Sequence, residues 1–103
     1  MLENSFRLTF FLKKPKNESL QRIIQLRITV DGIAKETSTK QKWDVRRWDQ
    51  EACRAIGNKE DARTLNFYLD TLTNKILQFK AEVILSGQFI TAQRLVDYIL
   101  GNV

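Results

Sequence analysis

The sequence contains no histidine and only one cysteine, Cys53, among its 103 residues. Without histidine the chain lacks the commonest general base, the commonest transition-metal ligand and every nucleophile pair that depends on an imidazole. A single cysteine can form neither an internal disulfide nor a thiolate cluster around a metal, and this is typical of proteins in a reducing cytoplasm. A hydrolase or transferase built on Asp, Glu and Lys is still open, but it would need a pocket, and nothing in the sequence marks one. We therefore expect a chain with no cofactor, no metal site, no small-molecule substrate and no enzyme activity of its own.

Long apolar runs are also missing. No segment approaches the about 20 consecutive apolar residues that span a bilayer. Residues 1–7 do not combine a basic start with an apolar stretch, so the sequence predicts no signal peptide. We therefore expect no membrane partner and a cytoplasmic location. A chain of 103 residues that is 43% hydrophobic is long enough for one core and too short for two.

The positive charge is concentrated in the first part of the chain. Residues 1–43 hold nine basic and four acidic residues, whereas residues 44–103 hold eight of each, so the first part carries the whole net charge of +5. This asymmetry indicates a polyanionic partner for the first part. A surface that merely keeps the protein soluble would give a similar composition.

Alternation of apolar and polar residues predicts three antiparallel strands. Residues 5–13 and 24–30 alternate with a period of two, which is typical of half-buried strands. The pair Asp31-Gly32 suits a type I′ turn, so a third strand should fold straight back and run to about Lys40. A two-residue turn places Val30 opposite Ile33, and the residues before and after them then pair in order, which brings Arg27 opposite Glu36.

A long helix is predicted over Lys59–Ser86, with Asn58 as its N-cap and Gly87 at its C-terminal end. Its apolar residues recur at steps of three and four and predict a buried stripe, composed of Ala62, Leu65, Leu69, Leu72, Ile76, Phe79 and Val83.

Two shorter helical segments complete the prediction. Asp44 is placed to cap a helical turn that runs through Trp48, and Thr91 to cap a helix over Ala92–Leu100. The predicted fold class is α+β: a three-stranded antiparallel sheet packed against a long C-terminal helix, with a short helical turn before that helix and a short helix after it.

The sheet face turned away from the helix is predicted to be polar and basic. It carries Arg7, Thr9, Phe11, Gln25, Arg27, Thr29, Ala34, Glu36 and Ser38. The major groove of B-DNA admits a β-ribbon, in which arginine can bridge a guanine while lysines at the margins meet phosphates. The sequence therefore predicts binding of double-stranded DNA. The expected contacts are Arg7, Thr9, Lys13, Lys14, Lys16, Gln25, Arg27, Thr29, Lys40 and Lys42.

Other interpretations of the same residues are open at this point. Arg27 lies opposite Glu36 in the register of the turn, and the two could form a simple cross-strand ion pair. The open sheet edge or the long helix could instead dock a partner chain, such as another protomer. Binding of single-stranded RNA is less well supported, because Phe11 is the only clear outward aromatic on the sheet.

The order of several segments resembles a known family. Residues 5–14, 26–32 and 38–39, then Trp48, then a helix that opens near residues 59–66, are similar to the N-terminal arm-type DNA-binding domain of tyrosine recombinases. The similarity is greatest to integrases of Bacteroides-type mobile elements.

This resemblance implies that the chain binds accessory arm sites on DNA during integration, with its sheet in the major groove. It implies an arm domain over residues 1–87 and, over residues 88–103, a lead-in helix toward a core-binding domain that this chain does not contain. Full-length members carry a further domain with catalytic Arg, Lys, His and Tyr residues, and a chain without histidine cannot contain that set. Tyr68 and Tyr98 are therefore not expected to be nucleophiles.

Overall fold

Three strands and two helices account for most of the residues that the computed structural model describes, 5–14 and 18–101. The strands β1 (Phe6–Leu12), β2 (Gln21–Val30) and β3 (Ile33–Asp44) form an antiparallel sheet in the order β1-β2-β3. The helices α1 (Glu60–Leu85) and α2 (Ala92–Leu100) follow. The predicted α+β fold class is confirmed.

The turn between β2 and β3 fixes the register of the sheet. Asp31 and Gly32 both have positive φ, 52° and 83°, as a type I′ turn requires. Arg27 consequently lies opposite Glu36, as the sequence predicts. The turn also anchors β1, because the Asp31 carboxylate accepts a hydrogen bond from the Ser5 amide at 3.0 Å and the Asp31 amide donates to the Ser5 carbonyl at 2.9 Å.

Strand β3 is longer than the sequence suggests, and it contains an irregularity near its middle. Three residues of β3, Thr39 to Gln41, face a single residue of β2, Ile24. Lys40 adopts a φ of 62°, and the Thr39 hydroxyl donates to the Ile24 carbonyl at 2.7 Å. The prediction that β3 ends at about Lys40 is wrong, because the strand resumes beyond this bulge and ends at Asp44.

A small hairpin connects the sheet to α1. Asp44 caps a single 3-10 turn over Val45–Arg47, which confirms the predicted cap but ends one residue before Trp48. Two-residue strands follow, β4 (Trp48–Asp49) and β5 (Arg54–Ala55), and pair with each other. Strands this short show no alternation, so the sequence could not reveal them.

The N-terminus of α1 differs from the prediction by one residue. Lys59, not Asn58, occupies the N-cap position, and its side chain makes no capping hydrogen bond. The first helical bond runs from the Arg63 amide to the Lys59 carbonyl at 3.0 Å. Glu60 and Asp61 lie in the first turn, where their negative charge is favourable to the helix dipole without a side-chain cap.

The other predicted helix ends are confirmed. Gly87, with a φ of 80°, follows the C-cap of α1, and the Gln88 amide donates back to the Val83 carbonyl at 3.1 Å. Thr91 caps α2 through its hydroxyl, which accepts from the Arg94 amide at 3.0 Å.

One hydrophobic core joins the sheet to both helices. It contains Ile24, Leu26 and Ile28 of β2, and the predicted α1 stripe is buried except for Leu72 and Phe79, which are half-buried against it. The helix α2 contacts β2, β3 and α1, and it adds the buried residues Ala92, Leu95 and Val96. Because the helices cover the face that carries the apolar β2 residues, the opposite face is left open.

Candidate nucleic-acid interface

The open sheet face, called the outer face below, brings together nine side chains that the sequence assigned to it, and none of them is buried. Strand pairing arranges them in three cross-strand rows: Arg7, Thr29 and Ala34; Thr9, Arg27 and Glu36; Phe11, Gln25 and Ser38. Four of these side chains are short, namely Thr9, Thr29, Ala34 and Ser38, so the backbone beside them can approach a flat or grooved partner closely. Arg7 and Arg27 are the two long basic side chains that project from it.

Arg27, in the middle row, is held by two neighbours. Its Nε donates to the Glu36 carboxylate at 2.7 Å, and its guanidinium carbon lies 4.7 Å from the centre of the Phe11 ring. The cross-strand ion pair considered above is therefore present. The side chains of Arg27 and Glu36 are 44% and 46% exposed, so solvent screens the pair and it adds little stability. In the described part of the chain, the terminal nitrogens of Arg27 make no hydrogen bond.

Gln25 is the other outer-face residue with an unusual environment. Its side-chain oxygen is buried, yet it has no hydrogen-bond partner among the described residues. A buried acceptor without a partner is costly, so a rotation of this side chain toward a donor outside the protein would be favourable.

Three of the expected lysines, Lys13, Lys14 and Lys42, flank one end of the sheet. Lys42 on β3 lies opposite Ile23 of β2. On the β1 side of the same residue, the Lys13 amide donates a hydrogen bond to the Ile23 carbonyl at 2.8 Å. Lys13, Lys14 and Lys42 are all exposed. They therefore form a basic rim at the end of the sheet farthest from the Asp31-Gly32 turn.

The remaining two lysines are not part of this rim. Lys40 lies in the bulge of β3 and, with Tyr68, Leu72 and Ile99, lines a cavity of about 240 Å³ between β3 and the helices. Lys16 lies outside the described residues.

Ion pairs neutralise several arginines that follow the sheet, and each pair joins an arginine to an aspartate: Arg46 with Asp44 at 2.7 Å, Arg47 with Asp61 at 2.9 Å, and Arg54 with Asp70 at 3.3 Å. Hydrogen bonds from the Arg46 side chain lower the pKa of Asp44 to about 2, and those from Arg47 lower the pKa of Asp61 to about 2.

Apart from Arg27, which pairs with Glu36, the basic residues of the outer face and its rim differ in this respect. Within residues 5–14 and 18–101, no ion pair involves Arg7, Lys13, Lys14 or Lys42. Their charge is available to an anionic partner, and this agrees with the excess of basic residues in the first part of the sequence.

Sequence reasoning placed Phe11 and Glu36 on this face but did not include them among the DNA contacts. The register of the Asp-Gly turn was enough to pair Glu36 with Arg27. The contact of Phe11 with Arg27 depends on the pairing of β1 with β2, where Thr9 lies opposite Arg27 and Phe11 lies opposite Gln25. No tight turn joins those strands, so no sequence signal fixed that register.

Among residues 5–14 and 18–101, no helix has both the length and the apolar character needed to cross a membrane. The same residues contain no group of three or more His, Cys, Asp or Glu side chains that could hold a metal ion.

The chain is similar to a known family of protein domains. Residues 10–96 match the family model described as an arm DNA-binding domain. This segment includes the outer-face residues from Phe11 onward, the rim lysines Lys13, Lys14 and Lys42, and the first five residues of α2. Searches of curated proteins and of solved structures found no match.

Proposed function

Because the chain belongs to the arm DNA-binding domain family, whose members are DNA-binding modules found in tyrosine integrases, we propose that it recognises accessory arm sites by inserting its outer face into the major groove. The observation that carries this proposal is the outer face itself, where a central arginine lies among short side chains beside a basic rim. The family is a DNA-binding module rather than a catalytic one, and its partner is double-stranded DNA.

The shape of the outer face supports insertion into the major groove. That groove is about 12 Å wide and admits a β-ribbon, but only if the side chains near the middle allow close approach. Thr9 and Thr29 flank Arg27 on neighbouring positions, and Ala34 and Ser38 occupy the β3 edge. These small side chains leave Arg27 as the deepest probe of the base edges.

The chemistry of the same residues supports direct reading of bases. Arginine can donate two hydrogen bonds to guanine O6 and N7, and glutamine can pair in a similar way with adenine. The unpartnered terminal nitrogens of Arg27 suit such a contact, and the unpartnered oxygen of Gln25 would reach a base only after its side chain rotates out of the surface. Threonine methyl groups can contact the methyl group of thymine.

The rim lysines suit phosphates instead of bases. Lys13, Lys14 and Lys42 are exposed at the end of the sheet, where the sugar-phosphate backbone would pass beside an inserted ribbon. We assign the same role to Lys16, which lies outside the described residues, and to Lys40, which is exposed in the bulge of β3.

We infer that the parent protein is a tyrosine recombinase of a Bacteroides-type mobile element, that it acts in the cytoplasm, and that residues 88–103 lead toward a core-binding domain. The chain itself should have no strand-transfer activity, cofactor or small-molecule substrate. Tyr98 supports this view, because its ring stacks on Phe79 with centroids 4.0 Å apart instead of projecting freely.

A titration with DNA at several salt concentrations tests the proposal. Suitable probes are a duplex that the wild-type chain selects from a random library and a scrambled duplex of equal length. We expect log affinity to fall with log salt at a slope of about −0.9 for each phosphate contact. We also expect Arg27→Ala to cost roughly 1–3 kcal/mol on the selected duplex and much less on the scrambled one.

The main alternative is docking of a partner chain, with a second integrase protomer as the occupant. The exposure of Leu85 and Phe89, 86% and 83%, at the C-terminal end of α1 favours it. Sedimentation of the chain alone and with the selected duplex separates the two functions. Self-association that is insensitive to salt, without binding of DNA, would favour docking over DNA recognition.

A further inference from the structure

We propose that Glu36 and Phe11 are positioning residues for Arg27, and that these three side chains together form a site that reads a guanine. The inference rests on the proposed function, and it names one base that the outer face recognises and the device that holds the arginine ready. The expected DNA contact is made by Arg27 alone, whereas Glu36 and Phe11 act through it.

The hydrogen bond to Glu36 leaves the useful part of the guanidinium free. Glu36 accepts from Nε, so both terminal nitrogens, Nη1 and Nη2, keep their donors. Recognition of guanine in the major groove needs two donors in a fork, aimed at O6 and N7. The hydrogen bond to Glu36 therefore holds the guanidinium at Nε and leaves Nη1 and Nη2 available to donate to a base.

Phe11 restricts the same group in a second direction. Its ring centre lies 4.7 Å from the guanidinium carbon, within the range of a cation–π contact. Because Phe11 pairs with Gln25 and Arg27 with Thr9, the contact runs diagonally across two rows of the outer face. An arginine held by a carboxylate and an aromatic ring loses less rotamer freedom when DNA binds.

The position of the Glu36 carboxylate on the outer face is not explained by the stability of the fold. Glu36 projects from the surface proposed to face DNA, where a negative charge weakens attraction to phosphates. The stability that it contributes is small, since Arg27 and Glu36 remain 44% and 46% exposed. A residue that opposes non-specific binding while it orients the reading side chain raises discrimination between sequences.

A double-mutant cycle tests this inference. We would measure the affinities of the wild-type chain, Glu36→Ala, Arg27→Ala and the double variant for the selected and the scrambled duplex. Glu36→Ala is expected to lower the ratio of the two affinities about 10-fold. The same substitution should have no effect on that ratio in the Arg27→Ala background. Phe11→Leu should lower the ratio in the same direction.

Controls separate positioning from charge and folding. Glu82→Ala removes an exposed carboxylate from α1, on the helical side of the molecule, and should leave the ratio unchanged. The Nε–H signal of Arg27 in the free protein should exchange slowly in the wild type and rapidly in Glu36→Ala, which reports the hydrogen bond without any DNA.

The outcomes are distinct. If Glu36→Ala strengthens binding to both duplexes by the same factor, with or without Arg27, Glu36 merely repels phosphates and the inference is overturned. If Arg27→Ala removes discrimination while Glu36→Ala does not, the inference fails and the proposed function stands. A wild-type chain that does not distinguish the two duplexes contradicts the proposed reading of sequence itself.

Discussion

At the scale of single residues, side-chain length and position sort the basic residues into two groups. Arg27 lies in the middle of the outer face, between Thr9 and Glu36, whereas Lys13, Lys14 and Lys42 lie at its rim. A ribbon in a groove is deepest at its middle, so the central arginine should meet bases and the rim lysines phosphates. Substitutions in the two groups should therefore have different signatures.

Lys14→Ala should weaken binding to every duplex by a similar factor. The loss of one phosphate contact should make the slope of log affinity against log salt shallower by about one unit. The matched control is Lys75→Ala, which removes an exposed lysine from α1 with the same change in net charge. An equal effect of both substitutions would show that only overall charge matters and would remove Lys14 from the interface.

The pair of Arg47 with Asp61 predicts a dependence of stability on pH. Hydrogen bonds from Arg47 lower the pKa of Asp61 to about 2 from its usual 3.8. Since the pKa is lower in the folded state, the ionised carboxylate stabilises the fold above about pH 4, and this contribution is lost as the pH falls toward 2. In Arg47→Ala the pKa of Asp61 should return toward 3.8, as measured by NMR titration of its carboxyl carbon.

Arg54→Ala provides the control for the Asp61 titration. This substitution also removes one positive charge, but Arg54 pairs with Asp70 and not with Asp61. The Asp61 titration should be unchanged in this variant. A shift of equal size in both variants would mean that net charge, and not the hydrogen bonds from Arg47, lowers the pKa.

At the scale of elements, local signals determined what the sequence could predict. The Asp31-Gly32 turn fixed the pairing of β2 with β3, and therefore the Arg27–Glu36 pair, because both partners lie within a few residues of it. The apolar stripe predicted α1 in the same way, since its period is a local property.

The features that the sequence could not predict depend on distant contacts. The bulge at Lys40 breaks the alternation of β3, so the strand seemed to end there. The β4–β5 hairpin is held by Asn66 of α1, which accepts from the Ala55 amide at 2.8 Å and donates to the Ala55 carbonyl at 3.1 Å. The contact of Phe11 with Arg27 likewise requires the β1–β2 register, which no turn sequence specifies.

The stripe of α1 allows a test of the packing between helix and sheet. Ile76 is fully buried in the core, whereas the adjacent Leu77 is 42% exposed. Ile76→Ala should therefore reduce the free energy of unfolding by about 2–5 kcal/mol, and Leu77→Ala by much less. Denaturant titration of both variants measures the difference. Equal losses would show that the two positions are not distinguished by burial and would contradict the arrangement of α1.

At the scale of the whole molecule, the fold places the hydrophobic core on one side of the sheet and the polar outer face on the other. Both helices pack on one side of the sheet, and α2 shares that core through Ala92, Leu95 and Val96. The other side of the sheet keeps its polar residues exposed or half-buried. The excess positive charge of residues 1–43 belongs to the part of the chain that forms this sheet. A layer of two helices thus supports a basic surface that is available to DNA.

The central claim is that the outer face of the sheet enters the major groove, and intermolecular NOE measurements on the complex with the selected duplex test it most directly. We expect NOEs from the methyl groups of Thr9 and Thr29 to thymine methyl and cytosine H5 protons, which line the major groove. The methyl groups of Leu85 on α1 should show none. NOEs from Leu85, or NOEs from Thr9 and Thr29 only to protons of the minor groove, would contradict the claim.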